Sequence, residues 1–110
     1  MSTFGVPLTL FCLSVGGYPQ QTVEWYRVTV TDNKRLAGTV TAVQDELFNV
    51  TNTLTFTPTS SDDGVKFICQ SSYTGEPQLI RQAEVVLGIL STNLSYSQIY
   101  FISFSGIHRI

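Results

Sequence analysis

The sequence predicts an all-β fold, an antiparallel β-sandwich of about seven strands in which the first strand is clipped. Short segments that alternate apolar and polar residues are separated by turn-forming residues roughly every 8 to 12 positions, as in sandwich folds. No long window shows the apolar period of about 3.6 residues that marks an amphipathic helix. Threonine and valine, which suit the half-buried surface of a pleated sheet, are abundant.

Three strands are predicted in the first part of the chain, at residues 6–14, 22–31 and 38–43. A Gly-Gly-Tyr-Pro turn follows the first strand, and a polar Asp-Asn-Lys-Arg turn at residues 32–35 follows the second. Alternation in the second strand places Val23, Trp25 and Arg27 on one face. The other face then carries Glu24, Tyr26 and Val28.

Three more strands are predicted at residues 50–57, 65–72 and 79–87. Turns rich in Pro, Ser, Asp and Gly separate them, at residues 58–64 and 73–78. Leu54 and Phe56 share a face of the first of these strands. In the second strand, Val65, Phe67 and Cys69 alternate with Lys66, Ile68 and Gln70, which indicates a half-buried strand.

The length of 110 residues allows one domain, which we expect to cover residues 1–90. Residues 91–110 stay unassigned, because their composition fits an added edge strand, a linker into a following module, or a gene-model artefact. Only five residues precede Val6, so we expect the chain to be a fragment whose first strand is incomplete.

Charge and composition exclude several classes of function. The net charge of -2 provides no basic surface for nucleic acid. His108, the single histidine, would have to be the base of any Ser-His-Asp triad. One histidine and two cysteines do not make a closed zinc site. We therefore expect no enzyme activity, no cofactor and no small-molecule substrate, and the one metal alternative is calcium between Asp45 and Asp62 or Asp63.

Two apolar stretches could be mistaken for targeting segments. Residues 4–15 imitate the core of a signal peptide, but no basic residue precedes them, and their alternation favours a strand. Residues 99–107 are far shorter than the roughly 20 residues that a membrane-spanning helix needs. We expect neither a signal peptide nor a membrane span in this chain.

Four separated motifs resemble an immunoglobulin-like domain. They are Leu8-Thr9-Leu10-Phe11-Cys12, Val23-Glu24-Trp25-Tyr26-Arg27, Leu54-Thr55-Phe56 and Asp63-Gly64-Val65-Lys66-Phe67-Ile68-Cys69. In order and spacing they resemble the B, C, E and F strands of that family, over about residues 4–90. The short middle segment is similar to I-set or C2-type domains of cell-adhesion receptors.

This resemblance implies a disulfide between Cys12 and Cys69 that packs against Trp25, with Leu54, Phe56 and Phe67 in the same core. Such a bridge would contribute roughly 4 kcal/mol to stability in the chain-entropy model. It also implies an oxidising compartment. The alternative is a pair of reduced core thiols, as in intracellular muscle-type immunoglobulin domains.

One departure from the family affects the turn before the second cysteine. The family has a tyrosine two residues before that cysteine, and Phe67 stands there, so the hydroxyl that would fix the turn is missing. We expect Asp63 to accept local backbone hydrogen bonds instead and Gly64 to adopt a positive φ.

Two kinds of surface site are predicted. Asn49 and Asn93 each begin an N-glycosylation sequon. Tyr26 and Ile68 are large apolar residues on the face that points away from the core, and Tyr73 begins the loop after the second cysteine. The resemblance implies that this sheet contacts adhesion partners, whereas ordinary framework is the alternative reading.

The leading hypothesis is therefore an extracellular recognition or cell-adhesion module of a multi-domain receptor, at the cell surface. Its partner would be a protein, bound homophilically or heterophilically, beside neighbouring immunoglobulin-like domains in the full-length chain. The alternative is a structural spacer in a long filamentous intracellular or matrix protein.

Overall fold

The structure, a computed structural model, describes residues 2–3, 7–73, 76–90 and 98–105. In that part of the chain, the ordered elements are ten strands and one 3-10 turn. The strands are β1 (Ser2–Thr3), β2 (Leu8–Gly17), β3 (Thr22–Val28), β4 (Asn33–Leu36), β5 (Thr39–Asp45), β6 (Leu47–Phe56), β7 (Lys66–Tyr73), β8 (Glu76–Val86), β9 (Ile89–Leu90) and β10 (Gln98–Ser105). The 3-10 turn, Ser60–Asp62, connects β6 to β7.

Two four-stranded sheets form the sandwich that the sequence predicts. Sheet 1 has the strand order β10-β2-β6-β5, and sheet 2 has the order β4-β3-β7-β8. Neighbouring strands in sheet 2 are antiparallel throughout. In sheet 1, β10 runs parallel to β2, while the other two pairings are antiparallel. β1 and β9 form a separate short parallel pair.

The core lies between the sheets because two long strands alternate buried and half-buried residues along their length. The burial alternates through most of β2 and through all of β7, as expected for strands with one face inward. The fully or almost fully buried apolar residues are Leu8, Leu10, Cys12, Val23, Trp25, Val50, Leu54, Phe67, Cys69 and Leu87. Phe56 is half-buried at the border of this core.

Part of the predicted polar turn at residues 32–35 is instead β4. Residues Asn33–Leu36 pair antiparallel with β3, with Arg35 opposite Tyr26. Lysine and arginine are common on edge strands because they discourage pairing with further strands. A short charged edge strand therefore looks like a turn when only the apolar pattern is read.

Residues 98–105, which the sequence left unassigned, form β10 at the edge of sheet 1. Eight of its residues pair with β2, from Gln98 opposite Leu8 to Ser105 opposite Val15. β10 thus extends the sheet that contains Cys12. Residues 91–97 and 106–110, with Asn93 and His108, lie outside the described residues.

Candidate functional site

The two sheets are joined at their centre by a disulfide between Cys12 and Cys69, which are 57 residues apart in sequence. Trp25 lies opposite Cys69 on the neighbouring strand and is completely buried. Its indole Nε1–H donates a hydrogen bond to the backbone oxygen of Asn52, 3.0 Å away in the opposite sheet. The buried tryptophan therefore has its polar atom satisfied, as its burial requires.

Asn52 adds a second link between the sheets. Its side-chain Nδ2 donates a hydrogen bond of 2.8 Å to the backbone oxygen of Val23 on β3. Its Oδ1 occupies the space that a Cβ at Gly38 would need. Sequence reasoning missed this residue, and the signal was a lone amide residue at a core-facing position of β6, between Val50 and Leu54.

A buried polar cluster lies beside the disulfide. The hydroxyls of Ser14 and Ser71 are 2.8 Å apart and share a hydrogen bond between the sheets. Gln21 is almost fully buried, and its Nε2 donates to Ser14 O, Ser14 Oγ and Phe48 O, each at 3.1 Å. These hydrogen bonds attach the turn that follows β2 to β2 and β6, and through Ser14 to β7.

The turn before the second cysteine is held by Asp62, a residue that the sequence analysis considered only for calcium. Its Oδ1 accepts a hydrogen bond from Arg27 Nε at 3.0 Å, and its Oδ2 accepts one from the backbone N–H of Thr59 at 2.9 Å. Asp63, which was expected to accept local backbone hydrogen bonds, is exposed beside this turn, and its role stays a prediction. Gly64 has a φ of +76°, as expected.

Phe67 takes the place of the family's tyrosine by packing rather than by hydrogen bonding. It is 1% exposed and stacks on Phe56, with ring centroids 5.1 Å apart. The backbone N–H of Gly64 donates to Leu87 O at 2.8 Å, which ties the turn to the end of β8. The corner is thus closed by an aromatic stack, an ion pair and backbone hydrogen bonds.

The outer face of sheet 2 presents an apolar pair in its middle. Tyr26 on β3 lies directly opposite Ile68 on β7, and both are half-buried. In the same row, Arg35 on β4 lies beside Tyr26, and Glu84 on β8 lies beside Ile68. From β4 to β8, this row thus consists of a cation, an aromatic ring, an aliphatic side chain and an anion.

Ion pairs border this apolar centre on both sides. Arg35 Nη1 lies 2.9 Å from Glu24 Oε2, and Lys66 Nζ lies 3.6 Å from Glu84 Oε2. The hydroxyl of Tyr26 donates a hydrogen bond of 3.1 Å to Glu24 Oε1. An apolar centre within a polar rim is the anatomy of a protein-binding surface.

The electrostatic surroundings keep the Tyr26 hydroxyl protonated. Burial raises the pKa of Tyr26 above its ordinary value of 10.0, and the hydrogen bond and negative charge of Glu24 raise it further, against the opposing effect of Arg35. At neutral pH the hydroxyl is protonated, as in any tyrosine, and donates to Glu24. Alternation placed Glu24 on this face, but its ion pair was not predicted, because β4 was not predicted and ion pairs depend on strand register. Arg35 and Glu84 were not singled out from the sequence for the same reasons.

Tyr73 does not lie with the other predicted interface residues. It ends β7, is 5% exposed, and its hydroxyl oxygen accepts a hydrogen bond of 2.7 Å from the backbone N–H of Tyr18. The inward alternation of β7 continues through this residue, so its ring packs inside the sandwich rather than on a recognition loop.

Asn49 lies within β6 and is half-buried. Its Oδ1 accepts a hydrogen bond of 3.2 Å from the backbone N–H of Gly16. This sequon therefore lies within a central strand of sheet 1, because β6 begins before the strand predicted at residues 50–57. Asn93 lies outside the described residues.

The described residues contain no group of three or more His, Cys, Asp or Glu side chains that could hold a metal ion. Asp62 is engaged with Arg27 and Thr59 rather than with Asp45. Within the same residues, the chain forms no helix of the length and apolar character needed to cross a membrane.

Comparisons with known proteins agree on the kind of domain. The family model for the CD80-like C2-set immunoglobulin domain matches residues 5–79. Among solved structures, the chain is similar to the full ectodomain (Ig1–Ig3) of mouse nectin-like molecule 4, at 27% sequence identity and a TM-score of 0.55. That match covers 66% of this chain and 24% of the ectodomain chain, so it spans about a quarter of that protein's length. No curated protein sequence matches significantly.

Proposed function

Because this chain belongs to the CD80-like C2-set family of immunoglobulin domains, we propose that it is an extracellular module that binds another protein through the outer face of sheet 2. The observation that carries this proposal is the Tyr26–Ile68 pair with its border of ion pairs. The similarity to a nectin-like ectodomain supports an adhesion or recognition role. No chemistry on a substrate is part of the proposal.

The physical basis of binding would be removal of the Tyr26 ring and the Ile68 side chain from water. Each is only half-buried in the free domain, so a partner can bury the remainder. Tyr26 would also keep a fixed orientation, since its hydroxyl is bonded to Glu24. A preorganised aromatic side chain loses little conformational entropy on binding.

The cysteine pair supports placement outside the cell. A disulfide such as Cys12–Cys69 forms and persists in oxidising compartments. The solved relative is an ectodomain with domains Ig1–Ig3, which supports neighbouring immunoglobulin-like domains in the full-length protein. The alternative of an intracellular filament spacer is not favoured by either observation. Asn49 and Asn93 remain predicted glycan acceptors.

The proposal is tested with the domain coupled at high density to fluorescent beads. Binding of these beads to a panel of cell lines measures heterophilic recognition, and bead-to-bead aggregation measures homophilic recognition. We expect Tyr26→Ala and Ile68→Asp each to reduce binding by about tenfold or more, as for residues at the centre of an interface. Multivalent display makes even weak contacts measurable.

Val30→Asp is the matched control, because Val30 is fully exposed and lies outside the sheet. Circular dichroism of all three variants tests whether they fold like the wild type. Equal binding by wild type, Tyr26→Ala and Ile68→Asp would reject this face as the recognition surface. A thiol count of secreted, non-reduced protein tests the location separately, and two free thiols would contradict an extracellular domain.

A further inference from the structure

A second surface of the molecule is the edge of sheet 1 that β5 forms, at the opposite end of the strand order from β10. β5 is the last strand in the order β10-β2-β6-β5 and, within the described residues, pairs with β6 alone. All seven of its residues are exposed, including Val40 at 52% and Val43 at 59%. Alternate residues of an edge strand direct their N–H and C=O groups away from the sheet, where another strand can bind them.

The two edges of sheet 2 carry features that discourage such pairing. β4 has four residues, among them Lys34 and Arg35. β8 contains Pro77 together with Arg81 and Glu84. Charged side chains, proline and short length are the usual means by which edge strands avoid new partners.

β5 has none of these protections along most of its length. Its sequence, Thr-Val-Thr-Ala-Val-Gln-Asp, contains no lysine, arginine or proline, and its only charge is at Asp45. Its register with β6 is continuous from Thr39 to Asp45, so no bulge twists the edge away. Threonine and valine are also among the residues that favour strands.

We propose that β5 pairs antiparallel with β5 of a second copy of this chain, about a two-fold axis at Ala42. The eight strands of two copies of sheet 1 would then form one continuous sheet. The proposal concerns a different surface from the outer face of sheet 2 and does not depend on the function proposed above.

The residue pattern of β5 is compatible with pairing to itself, which favours a second copy as the occupant. A two-fold axis at Ala42 places Thr41 opposite Val43 of the second copy and Thr39 opposite Asp45. No like charges then face each other, and β-branched residues meet across the new pair, which is a favourable combination. Such an interface is self-complementary, as a two-fold contact requires.

The size of the contact sets its expected strength. A strand of seven residues is about 24 Å long, so pairing buries less than the roughly 1,200 Å² of a stable interface. We expect a dimer with a dissociation constant on the order of 10–100 μM, in the range of weak contacts. Contacts of this strength act when many copies are held together on one surface.

Sedimentation equilibrium of the disulfide-bonded domain between about 5 and 500 μM tests the proposal. We expect the wild type to dimerise, and Ala42→Lys and Ala42→Glu each to remain monomeric, because both place like charges opposite each other at the axis. An equimolar mixture of the two variants should form a heterodimer. Val30→Lys, at a fully exposed position outside the edge, should dimerise like the wild type.

A wild type that stays monomeric at 500 μM would overturn the proposal. This holds even if β5 were then found to pair with a strand of a different protein. Dimerisation that survives Ala42→Lys would place the contact elsewhere. Monomeric variants whose mixture fails to associate would rule out an axis at Ala42. Circular dichroism and thermal unfolding of each variant separate loss of pairing from loss of folding.

Discussion

Ser14 and Ser71 share a hydrogen bond between the two sheets, with their hydroxyl oxygens 2.8 Å apart, two residues beyond Cys12 and Cys69 on the same strands. A covalent bridge and a polar bridge thus stand next to each other in the interior. Gln21 donates to Ser14 as well, so the serine pair belongs to a larger buried network. Such networks hold the register of the strands that they connect, and removing one member leaves the others without partners.

We predict that Ser71→Ala lowers the free energy of unfolding by about 1–3 kcal/mol, because it leaves the buried Ser14 hydroxyl short of one hydrogen-bond partner. The Ser14→Ala, Ser71→Ala double variant should lose less than the sum of the two single variants, because the pair is then removed together. Urea unfolding followed by tryptophan fluorescence measures both. Ser72→Ala, on the opposite face of β7, is the control, and strictly additive losses would contradict the coupling.

Asp62 and Asp63 provide a matched pair of substitutions in one turn. We predict that Asp62→Ala lowers stability by about 1–3 kcal/mol, since Arg27 and the backbone N–H of Thr59 both lose a charged acceptor. Asp63 is exposed, and interactions of exposed side chains contribute little to stability, so Asp63→Ala should cost less than about 1 kcal/mol. Thermal unfolding of the two variants measures the difference. The reverse order would show that the turn is held as the sequence analysis expected.

Gly38 and Gly64 are required for different physical reasons. A Cβ at Gly38 would collide with Asn52 Oδ1 and lie 2.9 Å from the backbone oxygen of Thr53. We expect Gly38→Ala to cost about 1–3 kcal/mol and to shift the fluorescence of Trp25, which is bonded to Asn52. A Cβ at Gly64 would enter open space, but the φ of +76° is unfavourable for alanine. We expect Gly64→Ala to cost about 1–2 kcal/mol and to leave the fluorescence of Trp25 unchanged. Equal fluorescence in both variants would contradict this distinction.

The raised pKa of Tyr26 predicts that the domain loses stability as the pH rises into the alkaline range. The folded state favours the neutral phenol, so above pH 10 it holds more protons than the unfolded state. The contribution of Tyr26 to the free energy of unfolding is complete below its pKa in the unfolded chain. It is lost as the pH rises through its pKa in the folded domain. Difference titration at 295 nm between the wild type and Tyr26→Phe should show one tyrosine that ionises above pH 10. A midpoint at or below 10 would contradict the prediction.

The sequence was sufficient for the sandwich, its central cysteines and the inward faces of β2, β3, β6 and β7. Cys12, Trp25 and Cys69 could be placed because alternation with period two assigns a face to every residue of a strand. Trp25 and Phe67 are buried on the faces assigned to them.

Other features depend on contacts that the pattern of a single strand does not contain. The ion pair of Arg27 and Asp62 joins residues 35 positions apart, so the sequence around Asp62 did not reveal its partner. β4 was missed because a short charged edge strand has no apolar alternation. Tyr73 was placed in a loop because Gly75 and Pro77 follow it, yet the inward face of β7 extends to this residue.

The parallel pairing of β2 and β10 has a mechanical consequence. Because the two strands run in the same direction over eight residue pairs, a force that pulls on the residues before Leu8 and after Ser105 in opposite directions loads all the rungs of this ladder at once. The disulfide would keep the chain between Cys12 and Cys69, which are 57 positions apart, from extending, and this withholds roughly 19 nm of chain at about 3.4 Å per residue. Single-molecule pulling under oxidising and reducing conditions should differ by that length, so that the domain acts as a short tether whose reach is set by its redox state.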